Sequence, residues 1–560
     1  MKKQILFLCF LLLWSIQTKS AEIEQVKPVK NLIVLIPDGT SLATVSISRW
    51  YQRYLFPDKT KLAIDPYLCG TVLTYSSNAP IGDSAPTTSC YMTGYPSQTG
   101  YVSTYPVSDK ANDLVPVDPS RAYQPLATLL EAARMIQQKS TGLVFTCEFP
   151  HATPADCSAH SYKRDRYDWI APQMAHNDID VVMGGGVSLL SEADEVYLKA
   201  NGYGVYKNDI TGMRNHAGNK MWVLYGDKDM AYDIDRDPIQ QPSLEEMTRI
   251  AIDKLSKNEQ GFFLMVEGSK VDWAAHANDP LGTVTDFLAF DRACGVALDF
   301  ARQNGETAIV IVPDHGTGGI TLGRRDCAAY DKMTLTEHFH VLSQIKLTAE
   351  GFAKKLNEEP ATGIQQLFRE YAGFEFSDDE LQAIYQCRDF RNSPVPIADR
   401  SAKDISPALY SSSLSGFVAK LITSKTCIGF TTGGHTGEEV FLAAYHPEGT
   451  VPTGMVTNIE LNHYMAAMMG LSGRLDGLTA SCFVPHTEVF NGYAYEIIPS
   501  VEEEGNPTLV VYTQNRQLII QPYTNMVKTE EKDIKLSSVI VYVDANQTFY
   551  LPLALTEYLK

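Results

Sequence analysis

The sequence predicts an α/β protein: a doubly wound, mainly parallel central sheet with helices on both faces, a largely helical insertion and a small β-rich C-terminal domain. Three observations predict it. Short apolar runs rich in β-branched residues recur along the chain, as strands buried on both faces do. Segments of helical period lie between them. The rhythm then breaks twice, into charged helical text over about 323–427 and into short β-rich runs after about 481.

The chain opens on what reads as an address. Lys2 and Lys3 precede an apolar run from Ile5 to Trp14, and Thr18, Ser20 and Ala21 offer small residues for cleavage, the layout of a secretory signal peptide over 1–20. That run is shorter than the roughly 20 residues a bilayer span needs, so no stable membrane anchor is expected in the mature chain. A periplasmic or extracellular location follows. Nine of the ten cysteines lie beyond the signal, none in a CxxC pattern. Export permits disulfides, but spacing does not give their pairing, and an odd count leaves at least one thiol unpaired. The cysteines therefore read as structural or buried.

The 560 residues can bury a large core. The formal net charge of −19 (47 basic against 66 acidic residues) excludes an extended nucleic-acid surface, which needs a basic footprint. A small anion can still be held where metals and a few arginines reverse the local sign.

Taken in order, Asn31 to Ile36 is the first buried strand, ended by Pro37, Asp38 and Gly39. The run Gly142 to Phe149 leads to His151 and Thr153; Ile179 to Met183 leads to three glycines; Gly261 to Val266 leads to Glu267; Thr307 to Val312 leads to Asp314 and His315; Val440 to Tyr445 follows His435. Helical period fills Leu126 to Ile136 and Thr285 to Arg302. In the insertion, Leu335 to Phe368 reads as helical, and Ser377 to Leu381 as a capped helix start. Past 481, four runs from Thr508 to Leu553 read as a small antiparallel accessory domain. The domains expected are thus 21–480, with its insertion, and 481–560.

Ligands in doubly wound sheets sit beyond the carboxyl ends of the strands. Asp38, Thr153, Glu267, Asp314 and His315 all fall there, and acids or metal-type ligands after four separate strands argue for one shared site. Asp272 and His276, four residues apart on a predicted helix after Glu267, share a face. On the residues alone, Glu267, Asp272 and His276 suit a divalent metal. Ser84, in Asp83-Ser84-Ala85-Pro86, reads either as a helix cap or as a nucleophile at a helix N-terminus, where backbone N–H groups favour an anion.

These motifs resemble the alkaline phosphatases. Asp38 in Pro37-Asp38-Gly39, Asp83-Ser84-Ala85, Ala152-Thr153-Pro154 with Arg164 eleven residues after the threonine, Glu267-Gly268 leading to Asp272 and His276, Asp314-His315, and Gly434-His435-Thr436-Gly437 occur in that family's order over about 400 residues. The resemblance implies one zinc at Asp272, His276 and His435, and a second at Asp38, Asp314 and His315, completed by Ser84. It implies a third metal, usually magnesium, at Asp38, Thr153 and Glu267. Arg164 would clamp the phosphate, and Asp83 would hold Arg164. Ser84 would attack phosphate monoesters, form a phosphoseryl intermediate and release inorganic phosphate. Dimers are common in the family, so a homodimer is an expectation.

Two residues depart from one or another family pattern. His151 stands where some bacterial members have aspartate and animal members histidine, which leaves the third ion open between magnesium and zinc. Trp273, beside Asp272, stands where lysine or histidine is frequent; it offers the phosphate no charge and reads as either a substrate-side residue or a packing aromatic. The rival readings are a phosphodiesterase or sulfatase of the same superfamily and a non-catalytic surface adhesion protein. The sulfatase pattern fails at Thr88, where an arginine is required.

Overall fold

A computed structural model describes residues 26–358, 363–392, 413–500, 505–514 and 516–559. The expected signal peptide lies outside the described residues.

Ten strands form the central sheet: β1 (Asn31–Ile36), β2 (Leu68–Leu73), β3 (Ser140–Glu148), β4 (Val181–Gly185), β5 (Gly204–Lys207), β6 (Met221–Tyr225), β7 (Phe262–Glu267), β8 (Thr307–Ile311), β9 (Val440–Tyr445) and β10 (Gly454–Thr457). Their spatial order is β10-β2-β9-β8-β1-β7-β3-β4-β6-β5. Every pairing is parallel except those of β9, which runs antiparallel to β2 and β8. The sheet is mainly parallel, as expected, but the last run read as one of the parallel set is the reversed strand.

Both faces of β1 are covered, which is why its sequence is continuous rather than alternating. Leu32, Val34 and Ile36 enter one apolar core, while Ile33 and Leu35 enter the other. Its partners set the site. Ile36 lies in register with Glu267 of β7, and Leu35 with Ile311 of β8. The carboxyl ends of β8, β1, β7 and β3 therefore stand side by side and deliver Asp314, Asp38, Glu267 and the His151 segment to one edge.

Five helices complete that edge: α1 (Leu42–Leu55), α2 (Ser84–Thr93), α3 (Ala152–Ala155), α4 (Lys270–His276) and α5 (Pro280–Asn304). Asp279 starts α5 ahead of a proline at the first helical position, its Oδ1 accepting from the N–H groups of Leu281 (2.9 Å) and Gly282 (3.2 Å). Its Oδ2 accepts from Ala349 N at 2.7 Å, tying the helix to the insertion.

The insertion is helical as read: Leu335–Gln344, Ala349–Glu358, Ile364–Ala372, Asp378–Asn392 and Leu414–Ser424. Ser377 and Glu380 form the reciprocal cap that their spacing predicts. Phe339, Phe352 and Phe368 pack with Ile47 and Tyr51 of α1 and Leu281 and Val284 of α5 in a core of their own. The insertion leaves and returns through a neck in which Thr321–Leu322 pairs antiparallel with Ile428–Gly429. A disulfide between Cys327 and Cys427 closes it.

The C-terminal β runs build a five-stranded antiparallel sheet (Ala494–Ile498, Thr508–Tyr512, Gln517–Ile520, Met526–Lys528, Ile534–Lys535) and a three-stranded one (Val484–Pro485, Thr548–Leu551, Val541–Val543). Asp544 meets Tyr162 and Lys163 of the main body, and Lys535 pairs with Asp178 at 2.8 Å.

Candidate metal centre

The two histidines opposite Asp272 are set by their outer nitrogens. His276 Nδ1 faces the carbonyl of Gly433 at 2.7 Å, and His435 Nδ1 faces that of Gly82 at 3.0 Å. A carbonyl only accepts, so each Nδ1 carries a proton and each ring turns its Nε2 inward. Those two Nε2 atoms stand 3.1 Å apart, and His276 Nε2 is 3.3 Å from Asp272 Oδ2. Two facing Nε2 atoms at that distance need a proton or a metal ion between them. Here a proton serves: burial lowers His276, but the Asp272 carboxylate outweighs it and holds the ring up to about 9. Asp272 in turn is held well below the carboxylate range, its burial outweighed by His276 and then by His315 and His435. Thr317 Oγ1 donates to Asp272 Oδ1 at 2.6 Å. Gly39 has φ +65, and a Cβ there would collide with the Asp272 carboxylate, so this backbone crossing requires glycine.

A second group adjoins the first through the stacked rings of His315 and His435, 3.8 Å between centroids. His315 Nε2 is ringed by Ser84 Oγ at 3.2 Å, Asp314 Oδ2 at 3.3 Å and Asp38 Oδ1 at 3.6 Å. Asp314 Oδ1 is fixed by the N–H groups of Gly39 (3.0 Å) and His315 (2.9 Å). Its other oxygen, and both oxygens of Asp38, are buried without a hydrogen-bond partner. Burial, then Asp314, Asp272 and Glu267, push Asp38 well above the carboxylate range. Buried carboxylate oxygens without a hydrogen-bond donor are suited to a cation.

The third group lies at the end of β3. Glu267 Oε1, Thr153 Oγ1 and His151 Nδ1 are buried and unpartnered. Burial pushes Glu267 up to about 8. A ring nitrogen of His151, a Glu267 oxygen and Cys147 Sγ lie within 4.8 Å of one another. Cys147, expected to be structural or buried, is fully buried, and its thiol lies beside Glu267; its single sequence signal is its place, four residues before His151 at the end of an apolar run.

Ser84 is the first residue of α2, and the cap is Asp83, whose Oδ1 accepts from Ser84 N at 2.9 Å. The serine hydroxyl is thus free of capping duty and faces His315. Asp83 also holds the Arg164 guanidinium, and Arg164 Nη2 donates to His151 Nε2 at 3.1 Å. The nearby cations are engaged elsewhere, Lys163 with Asp544 and Arg166 with Asp168. Burial, then the Arg164 charge, holds His151 down to about 3, so its ring is neutral. Trp273 meets His151 edge-on at 5.8 Å between centroids, and its ring is backed by Lys270, whose Nζ sits 4.0 Å from the ring centroid and pairs with Asp229. Lys270 escaped the sequence reading because a lysine on a helix face is ordinarily solvated; here it is almost fully buried. Among the other histidines, His160 pairs with Glu131 and His176 with Asp194, away from the three groups.

Three adjoining clusters of metal-type donors at the carboxyl edge of a parallel sheet, with a serine at a helix start and an arginine beside them, define a metal-dependent enzyme of the α/β class. The family follows from comparison. The sequence model of the alkaline phosphatases matches residues 29–471, and the chain belongs to that family. It is 31% identical over 454 residues to alkaline phosphatase 4 of Bacillus subtilis (strain 168), covering 79% of this chain and 89% of that protein. It is 28% identical to the repressible alkaline phosphatase of Saccharomyces cerevisiae, covering 78% and 79%. Among solved structures, the cold-active alkaline phosphatase of Shewanella sp. superposes with a TM-score of 0.65 at 25% identity, over 78% of this chain and 99% of that one. The enzyme of Thermus thermophilus shares the fold with a TM-score of 0.66 over 80% and 92%. The protein is accordingly a phosphatase, and its family is metal-dependent.

Proposed function

We propose that the chain is an exported zinc-dependent phosphomonoesterase that works through a covalent phosphoserine on Ser84. The observation that carries this reading is the pair of facing His276 and His435 Nε2 atoms beside the Ser84–His315–Asp314–Asp38 cluster, two adjoining cation sites with a hydroxyl in the second. Asp272, His276 and His435 would hold one zinc; Asp38, Asp314 and His315 a second; Asp38, Thr153 and Glu267 a third ion, magnesium or zinc. Nitrogen and carboxylate donors suit catalytic zinc, and such ions supply Lewis-acid charge that lowers a hydroxyl's pKa and stabilises a departing oxygen.

The chain's own groups do the rest. Arg164, held by Asp83, presents a planar fork to two phosphoryl oxygens. Ser84 Oγ attacks phosphorus as the ester oxygen leaves with the alcohol; water then attacks from the vacated side, the Oγ–P bond breaks and inorganic phosphate departs. Binding energy directed at the phosphoryl group makes the alcohol a minor determinant.

The Cys327–Cys427 disulfide supports an oxidising compartment. Among the described residues no helix is long and apolar enough to cross a membrane. Residues 21–480 are proposed as the catalytic domain and 481–560 as an accessory domain, and light scattering tests the expected homodimer. The deciding experiment combines metal analysis with hydrolysis of a monoester, a diester and a sulfate ester before and after chelation. Chelator-sensitive monoester turnover, abolished in Ser84→Ala, with phosphate on Ser84 after acid quenching, is the expected result. Chelator-resistant turnover or a diester preference overturns the reading.

A further inference from the structure

We propose that the third site, at the end of β3, takes Cys147 as a ligand and selects zinc over magnesium. The proposal rests on the three-metal reading above and concerns only the identity of one ligand and one ion. Cys147 is fully buried, and its Sγ donates to Glu267 Oε2 at 3.3 Å. A ring nitrogen of His151 joins the two within 4.8 Å. The backbone there is fixed, since the N–H groups of Thr146 and Cys147 both meet Ser269 Oγ, at 3.2 and 3.0 Å, and the register of β3 against β4 shifts just before Glu148.

A thiol in an apolar core needs no further explanation, but this one has polar company that does. Glu267 Oε1 and Thr153 Oγ1, on residues with no exposed surface, have no hydrogen-bond partner. Both oxygens of Asp38, next along the edge, are in the same condition. A buried acceptor left unmet is costly, so the convergence of several at one end of one strand points to a cation.

The donor set then decides which cation. Magnesium takes oxygen ligands in near-octahedral geometry and keeps waters, whereas a sulfur donor favours zinc and softer ions; His151, whose Nε2 accepts from Arg164, carries its proton on Nδ1 and supplies no ligand in this tautomer. When the ion binds, a metal–sulfur bond forms and the Cys147 S–H proton is released to solvent, with no change of oxidation state. Cys157, whose Sγ points to the Thr153 carbonyl at 3.6 Å, is the internal control: a neighbouring buried thiol outside the donor group.

The test uses the full-length protein, stripped and reloaded with cadmium. The wild type is expected to bind three ions per chain and to show an ultraviolet thiolate-to-cadmium charge-transfer band. Cys147→Ser should lose the band and the third ion while keeping two, and Cys157→Ser should keep the band. Magnesium should fill the third site of Cys147→Ser, and in the wild type should fail to displace the third cadmium at the same concentration. A cadmium-loaded wild type without the band, or a band undiminished in Cys147→Ser, overturns the proposal. Should that variant fail to fold, cadmium NMR of the wild type decides: one resonance in the sulfur-ligated range supports it, and none there refutes it. Monoester hydrolysis by the zinc-loaded wild type, measured separately, tests the enzymatic reading, so either can fail alone.

Discussion

At the scale of single residues, the chain places protons where its chemistry wants cations. His276 keeps its proton up to about 9 because Asp272 faces it, so at neutral pH an incoming ion must displace that proton. The sign follows. Below about 9 the free site binds one more proton than the loaded site, and apparent affinity at Asp272, His276 and His435 rises with pH until it levels above that value. Calorimetric titration with zinc at pH 7 in buffers of differing ionisation enthalpy should show proton release from this site, and His276→Gln should reduce it. Trp273 carries a second prediction. Its ring occupies a position beside Asp272 and His151, with Lys270 behind it, so the nearest ammonium is screened from the phosphate by an aromatic plane. Trp273→Lys should tighten competitive inhibition by inorganic phosphate by about fivefold, a difference of about 1 kcal/mol. It should also lower stability, because the new charge lies against Lys270. Unchanged inhibition would identify Trp273 as packing alone.

At the scale of elements, Asp279 links the core helix α5 to the insertion. Asp279→Asn should keep the cap through its carbonyl oxygen but turn an amide N–H₂ toward Ala349 N, leaving a buried donor without an acceptor. A loss of about 1–3 kcal/mol in denaturant stability is expected, and a midpoint equal to wild type would show that the cap alone matters. The elements near the site were the most legible part of the sequence. β1, β7 and β8 are buried on both faces, so their runs are continuous and their ends conspicuous, and Asp272 and His276 sit on one face of α4 as their spacing requires. β2 and β5 were missed because they lie toward the sheet margins with mixed exposure, so neither a continuous run nor a clean alternation marks them. β6 reads Met-Trp-Val-Leu-Tyr, is fully buried and is absent from the expected strands, although its run is continuous like that of β1 and Asp227 follows it. The direction of β9 was not legible at all, since a reversed strand inside a mixed sheet, buried between β2 and β8, has the same composition as its parallel neighbours. Cys147 and Lys270 were hidden for a different reason: their meaning comes from neighbours more than 30 residues away, which no local pattern reports.

At the scale of the whole molecule, the C-terminal sheets touch the main body beside the loop that carries Arg164. Asp544 accepts from Tyr162 Oη and faces Lys163 at 3.5 Å, the two residues just before the arginine, while Arg164 N is anchored to the Gly100 carbonyl at 2.8 Å. The far end of the chain therefore braces one side of a loop whose other side is braced from within. The Lys163–Asp544 pair has both side chains about two-fifths exposed, so solvent screens it and it is worth no more than about 1 kcal/mol. If this bracing positions the guanidinium, Asp544→Ala acts on phosphate recognition rather than on the serine. KM for a monoester and the inhibition constant for phosphate should then rise together by up to about fivefold, with kcat close to wild type. Tyr162→Phe should reproduce part of the effect, because it removes one of the two contacts and leaves the ring's packing in place. A fall in kcat at unchanged KM would show instead that the C-terminal sheets act on the serine and its cations, and no change in either would confine them to a role apart from catalysis.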